Sequence, residues 1–293
     1  MINKLKIFTF WEPKERIPSY IKLCMQTWKK FLPEYEIVII DYSNIDKYLG
    51  KNFYDKTLYA DFPLMLQADA IRCALLNIYG GIWFDADTII TSSEIKNYLN
   101  ISSEFVLINY HLAFIKANKS SYILKNWLKQ INYRIEFYKS QKYSRNKLTS
   151  KIKRIFHLKL FKIMNKWNYL GNSIIDKYIR GNIPVRIARK IKLILKFPFL
   201  YDYIEKRNKF VSIDRIKINA LPEILGKNSI NNHEQIYKDF YFRNDYSKDI
   251  INNTKGIILL HNSWTPKEYK EMTKEEFFNQ NNTLSNLLKT ILS

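Results

Sequence analysis

Asp85 and Asp87 stand two residues apart, directly after the apolar run Ile82, Trp83 and Phe84. In extended backbone that spacing sends both carboxylates to the same side, with Cα atoms about 6 to 7 Å apart. Two carboxylates so placed can share one hard divalent cation. They are a poor hydrolase pair, because neighbouring carboxylates on one strand do not flank a scissile bond. Chance acids in a turn give the same pattern, so the surroundings decide. A second pair, Asp69 and Arg72, is spaced i, i+3 in a segment otherwise filled with Leu, Ala, Ile, Met and Cys. Exposed, it is an intrahelical ion pair worth about 0.2 to 0.5 kcal/mol. Turned inward, two charges are expensive unless a polar partner uses them. A carboxylate beside a guanidinium suits the hydroxyls of a sugar.

The elements that must position these groups follow from apolar spacing. Lys4 to Phe10 alternates into an apolar run and predicts a strand. Pro18 to Phe31 carries Ile21, Cys24, Met25 and Trp28 at helical spacing. Glu36 to Asp41 holds Ile37, Val38, Ile39 and Ile40, a β-branched run suited to a strand covered on both faces, as in a parallel sheet flanked by helices. Pro63 and Leu64 open a helix to Tyr79, with Leu64, Ala68, Ile71, Leu75 and Ile78 as its apolar stripe. Gly80 and Gly81 stop it. Ile82 to Phe84 is then a short buried strand. Phe105 to Asn109 reads as a strand, Ser121 to Phe137 as a helix and Gly256 to Leu260 as a strand. Thr265, Pro266 and Glu268 have the pattern of an N-cap, a first-turn proline and a capping-box acid. Asn109 is either a polar group near an acceptor or an ordinary strand-end asparagine. No internal repeat is visible. Strands alternating with helices predict an α/β fold, in which ligands gather beyond the carboxyl ends of the strands, where Asp85 and Asp87 lie.

The 293 residues are 46% hydrophobic and 15% aromatic, enough for one large core or two small ones. Seven Gly and eight Pro exclude collagen-like and low-complexity architectures. No apolar run approaches the roughly 20 residues of a membrane-crossing helix, and Leu5 to Trp11 is too short for a signal peptide. The expectation is a cytosolic protein with Cys24 and Cys73 reduced. The net charge of +21 is concentrated: Lys139 to Leu200 holds 17 Lys and Arg against the single acid Asp176. Within it Ile152, Ile155, Phe156, Leu158, Phe161, Ile163, Met164 and Trp167 interleave with Lys151, Lys153, Arg154, Lys159, Lys162 and Lys166, a basic amphipathic pattern. It divides the chain into 1–138, a basic and mostly helical insertion at 139–205, and 206–293. A solvated helical face, a protein-binding face and nucleic-acid binding all compete for this stretch. Attachment to an anionic bilayer surface leads, each cation adding about 1 kcal/mol near acidic lipid. Nucleic acid is disfavoured, since no zinc-finger, RNP or helix-turn-helix spacing accompanies the charge.

Ala68-Asp69-Ala70-Ile71-Arg72, Leu75 to Tyr79 and Gly80-Gly81-Ile82-Trp83-Phe84-Asp85-Ala86-Asp87 together resemble the sugar-binding D-x-D region of bacterial capsular polysaccharide glycosyltransferases, yeast-type initiating mannosyltransferases and glucosylating clostridial toxins. Phe8 to Pro13 and Cys24 to Ile40, with Trp28-Lys29-Lys30-Phe31-Leu32-Pro33-Glu34-Tyr35-Glu36, resemble the capsule branch. The likeness covers residues 1 to about 115 and 256 to 266 and leaves out the basic insertion. It implies a GT-A fold, a single Rossmann-like domain binding a nucleotide sugar, and transfer with retention of anomeric configuration. Asp69 and Arg72 would hold the donor hexose, Asp85 would touch ribose, sugar or metal, Asp87 would ligate the metal, and Trp11 would lie near the uracil. His261-Asn262-Ser263-Trp264, after the strand ending at Leu260, resembles the C-terminal metal and diphosphate loop of metal-dependent GT-A enzymes. A neutral imidazole beside two carboxylates is a common third ligand and favours Mn²⁺ over Mg²⁺. The toxin pattern lacks this His. Ser263 and Trp264 could reach the leaving diphosphate through hydroxyl and indole N–H. His111, His157 and His233 have no comparable context.

The expected function is transfer of a hexose, galactose or glucose favoured, from a UDP-sugar to a lipid-linked oligosaccharide in capsule or surface polysaccharide assembly. The enzyme would be peripheral on the inner face of the cell membrane. No second carboxylate for a double displacement stands out, so same-face attack is favoured. A toxin-like transferase acting on protein and a non-enzymatic basic adaptor for membrane or nucleic acid are the competing expectations.

Overall fold

A computed structural model describes residues 5–108, 111–143, 164, 166, 168–175, 210–213 and 233–293. The basic insertion expected at 139–205 falls mostly outside them, as do Asn109 and His157. In chain order the described elements begin β1 (Lys6–Phe10), α1 (Ser19–Phe31), β2 (Glu36–Ile40), α2 (Ile45–Leu49), α3 (Lys56–Asp61), α4 (Leu64–Tyr79), β3 (Gly81–Phe84) and β4 (Thr88–Ile90). They continue with α5 (Ile95–Leu99), β5 (Phe105–Ile108), β6 (His111–Ala117), α6 (Tyr122–Lys142), β7 (Phe210–Ile213) and α7 (His233–Lys238). A π-helical turn Asp239–Arg243, α8 (Ser247–Asn253), β8 (Ile257–Leu259), a 3-10 turn Asn262–Trp264, α9 (Lys267–Glu271), α10 (Lys274–Phe278) and α11 (Thr283–Leu292) complete them. The class is mixed α/β, as the alternation predicts. The chain divides into two compact units of interleaved segments, Met1–Asp41 with Trp83–Ser102 and Ile213–Ser293, and Tyr42–Ile82 with Ser103–Ser212. The expected boundary at Lys139 lies inside α6.

In the first unit β1 and β2 pair in parallel from Lys6 opposite Glu36 to Phe10 opposite Ile40. The strand forms as predicted but is not fully covered on both faces: Val38 and Ile40 are buried while Ile37 and Ile39 are half-buried, whereas Ile7, Phe8, Thr9 and Phe10 of β1 are all inside. Helix α1 packs on β4 and on the C-terminal helices and buries Tyr20, Ile21, Cys24 and Trp28. The second sheet of the unit was not legible from alternation. There β4 and β8 pair antiparallel, with Thr88 opposite Leu259 and Ile90 opposite Ile257. Gly256, just ahead of β8, has φ of 91° and passes so close to α5 that a Cβ there would lie 2.4 Å from the Ile95 nitrogen.

The C-terminal helix start corrects an expectation. Helix α9 begins at Lys267 with Pro266 as its N-cap, and no side chain caps it. The Thr265 hydroxyl reaches the His261 carbonyl instead. The capping box of this region is one helix later, at Thr273 and Glu276 of α10, with both reciprocal bonds formed.

In the second unit α4 packs with α6, and β5 pairs antiparallel with β6, from Phe105 opposite Ala117 to Ile108 opposite His111. The stripe expected on α4 is also corrected. Leu64 is exposed, and Ala68 and Ile78 are half-buried, while every residue from Asp69 to Leu76 is buried. A helix apolar nearly all round its middle is enclosed on all sides rather than lying on a surface by one face. Helix α6 runs five residues beyond the expected Phe137, to Lys142. Cys24 and Cys73 are free and buried, and burial pushes both thiols well above their ordinary range.

Candidate active site

Asp85 follows β3, and its carbonyl accepts the Thr88 N–H at 2.9 Å, a turn that returns the chain into β4. The indole N–H of Trp83 donates to Asp85 Oδ1 at 2.7 Å, fixing one carboxylate against the strand that precedes it. Two side chains of α1 hold the far side of the turn. Trp28 donates its indole N–H to the Thr88 carbonyl at 2.7 Å, and the Thr27 hydroxyl accepts the Ile90 N–H at 2.8 Å.

The β4–β8 register then brings the ends of two distant segments together. The ladder ends at Thr88 opposite Leu259, so the turn that carries Asp85 and Asp87 and the loop that follows Leu260 leave the sheet at the same end. Asp87, 9% exposed, accepts the Asn262 backbone N–H at Oδ2, 2.7 Å away. Asn262 Oδ1 in turn accepts the hydroxyl of Tyr20, a fully buried residue of α1. Burial, and then the Asp87 charge, push the Tyr20 phenol well above its ordinary value, so it stays protonated and donates. Behind this chain the Tyr237 hydroxyl accepts the His261 N–H at 3.1 Å, and its phenol is raised chiefly by burial as well. Lys270 of α9 is half-buried. Burial lowers its ammonium pKa, and the Asp87 charge partly offsets the effect.

His261 is therefore next in sequence to the backbone group that Asp87 holds. Its imidazole packs on the Trp264 ring at 4.3 Å between centroids and edge-on to Tyr237 at 5.8 Å. Among the described residues, no three His, Cys, Asp or Glu side chains form a group that could hold a metal. Asp85, Asp87 and His261, expected together as ligands, are therefore not gathered into one ligand group, although His261 stands in the loop that Asp87 binds. Ser263 is exposed and Trp264 half-buried in the 3-10 turn Asn262–Trp264. Trp11 directly follows β1, is half-buried, and prolongs the parallel ladder by donating its N–H to the Ile40 carbonyl at 3.0 Å.

In the second unit Asp69 and Arg72 are 8% and 5% exposed, so the charges on α4 do face the interior. Arg72 Nε lies 3.6 Å from Asp69 Oδ1, while Nη1 donates to the Leu112 carbonyl at 2.6 Å and Nε to the Ala68 carbonyl at 3.3 Å. His111 begins β6, where its Nδ1 accepts the Ala113 N–H at 3.3 Å.

Residue types alone did not reveal Tyr20, Tyr237, Asn262 or Lys270. Tyr20 and Tyr237 lie outside every motif that the sequence singled out, and Asn262 acts through its backbone N–H, which no side-chain pattern encodes. The available signal was the position of Asn262 beside His261.

Among curated proteins, none matches the chain. Of solved structures, it is similar to one described as PaToxG glycosyltransferase, at 16% identity and a TM-score of 0.35 over 68% of this chain and 79% of that one. The family model described as capsular polysaccharide synthesis protein matches residues 1–286, and the chain belongs to that family.

Proposed function

We propose that the protein is a GT-A-type glycosyltransferase that moves a hexose from a UDP-sugar to a lipid-linked saccharide during surface polysaccharide assembly, at an anionic membrane face. One observation carries the reading: the D-x-D carboxylates end a buried strand, and Asp87 is bound to the backbone of the His261–Trp264 loop, so strand tip and loop form one polar constellation. Membership in a capsule synthesis family supports the biological setting.

In this reading Asp85 and Asp87 would be the primary ligands of a divalent cation, and the His261 imidazole, which is not grouped with them, would have to turn towards them to be the third. Two carboxylates and an imidazole form a donor set suited to Mn²⁺ ahead of Mg²⁺. Such a cation supplies Lewis-acid stabilisation for charge developing on a departing β-phosphate. Ser263 and the Trp264 indole N–H donate to the diphosphate, Trp11 stacks on the uracil, and Asp69 with Arg72 binds the hexose hydroxyls. The bond between the anomeric carbon and the β-phosphate oxygen breaks with oxocarbenium character on the sugar, its electron pair leaving with the diphosphate. The acceptor hydroxyl attacks from the face the diphosphate leaves, and its proton passes to a phosphate oxygen, which gives retention without a covalent enzyme intermediate.

The described residues include no helix long and apolar enough to cross a membrane. Membrane attachment is assigned to the basic stretch Lys151 to Lys166, which lies mostly outside the described residues. A panel of nucleotide sugars with MnCl₂ or MgCl₂, read as nucleotide release, tests the central claim: UDP-galactose or UDP-glucose should be turned over. Release from no UDP-hexose, with or without a lipid-linked saccharide, would falsify it. Sugar transfer to a lipid-free protein would favour the toxin-like alternative.

A further inference from the structure

We infer that Gly171 is a positioning residue that seats the Asp69 carboxylate, and that the turn carrying it belongs to the donor-sugar site; the sugar part of this inference rests on the function proposed above. Residues 168–175 lie within the stretch expected to be a basic insertion outside the sugar-binding region. In the structure they reach Asp69. A Cβ on Gly171 would stand 2.1 Å from Asp69 Oδ2, 2.6 Å from Cγ and 2.9 Å from Oδ1. Its φ is not in the left-handed region, so conformation does not demand glycine here; the space taken by the carboxylate does.

Neither partner can readily yield. The turn is strapped to α6 from both sides: Trp127 donates its indole N–H to the Leu170 carbonyl at 2.6 Å, and Arg134 Nη1 donates to the Tyr169 carbonyl and, at 2.5 Å, to Ser173 Oγ. The Tyr169 hydroxyl answers by donating to the Arg134 carbonyl at 2.9 Å, and its ring stacks on Phe62 at 6.3 Å. On the other side the Asp69 carboxylate is paired with Arg72, whose guanidinium is tied to the Leu112 carbonyl. A carboxylate held between a fixed backbone and a fixed guanidinium has one orientation. That is what a group aligning a sugar ring needs, since a misplacement of about 1 Å can lower turnover on the order of 100-fold.

The test is a cycle of wild type, Gly171→Ala, Asp69→Ala and the double variant, each followed by thermal melting and by UDP release from UDP-galactose and UDP-glucose with MnCl₂. Gly171→Ala should lower kcat/KM for the sugar donor at least tenfold while the inhibition constant of free UDP stays within twofold. On the Asp69→Ala background, where the clash is gone, the added methyl should change neither melting temperature nor residual turnover. Should Gly171→Ala alone fail to fold, a folded double variant supports the seating and an unfolded one overturns it. Wild-type kinetics for Gly171→Ala, or equal losses in melting temperature on both backgrounds, also overturn it. If the wild type turns over no UDP-hexose, the function reading fails, while the melting cycle still decides whether Gly171 seats Asp69.

Discussion

Replacing Asp87 in two ways separates its structural contribution from its chemical one. Asp87→Ala removes the acceptor of the Asn262 N–H, a 2.7 Å bond to a carboxylate that is 9% exposed. Hydrogen bonds to charged groups contribute about 1.5 to 3 kcal/mol, and orphaning a partly buried N–H lies within the same range, so a loss of about 2 kcal/mol is expected. For chains of roughly this size about 1 kcal/mol shifts the melting temperature by about 2 to 4 °C, which predicts a drop of about 4 to 8 °C. Asp87→Asn keeps an oxygen at the same place and removes the desolvation penalty of a buried charge, so it should melt within about 2 °C of wild type. Both variants lose the negative charge proposed to hold the cation, and on that proposal both should lose Mn²⁺-dependent UDP release, on the order of 100-fold or more for an electrostatic group of this kind. Differential scanning fluorimetry and a UDP-release assay on the same preparations suffice. The reasoning fails if Asp87→Asn retains turnover, or if Asp87→Ala melts like wild type while Asp87→Asn does not.

Three further substitutions test single elements of the two units. Trp28→Phe keeps the buried ring but strips the N–H from the Thr88 carbonyl; a loss of about 1 to 3 kcal/mol in urea unfolding is expected, with reduced turnover because the strand after Asp87 loses its tether. Gly256→Ala meets two obstacles, a φ of 91° and a Cβ 2.4 Å from a backbone nitrogen that cannot rotate away, so stability should fall by about 3 kcal/mol or more, read by the same unfolding curve. Asp55 caps α3 through the Thr57 N–H and pairs with Lys139, which hold its carboxyl down at about 2. A carboxylate with a depressed pKa stabilises the fold above its unfolded value near 3.8 and loses that contribution as pH falls towards 2. Asp55→Ala should therefore cost about 1 kcal/mol at pH 7, after allowing for solvent screening of a partly exposed pair, and flatten the acid limb of the stability profile between pH 4 and 2. Charge reversal across Lys151 to Lys166 should release the protein from anionic vesicles and leave UDP release intact; persistent vesicle binding refutes the membrane role of that stretch.

What could be read from the sequence was whatever local chemistry decides. The β-branched run in β2 and the Gly80 stop after α4 each depend on neighbours within a turn or two, and each appears where those neighbours require. The α4 stripe failed because periodicity assumes one buried face, and this helix is enclosed through Asp69 to Leu76. The same enclosure makes the interior placement of Asp69 and Arg72 informative. The cap assigned to Thr265 failed because the hydroxyl had a nearer claim on the His261 carbonyl, in the loop that also supplies Asn262. The join that defines the site was beyond local reading altogether. It needs β4, only three residues long, to find β8 in a single register, so that residues 175 apart in sequence share a hydrogen bond. Because side chains alternate along a strand, a slip of one residue in that pairing would turn Thr88 and Leu259 to opposite faces and carry Asn262 away from Asp87. Ile89, Ile90, Ile257 and Ile258 are buried on both faces, so their alternation cannot choose the register; the Trp28 bond to the Thr88 carbonyl and the Ile90 N–H bond to the Thr27 hydroxyl fix β4 against α1 and so hold Asp87 where the loop can meet it.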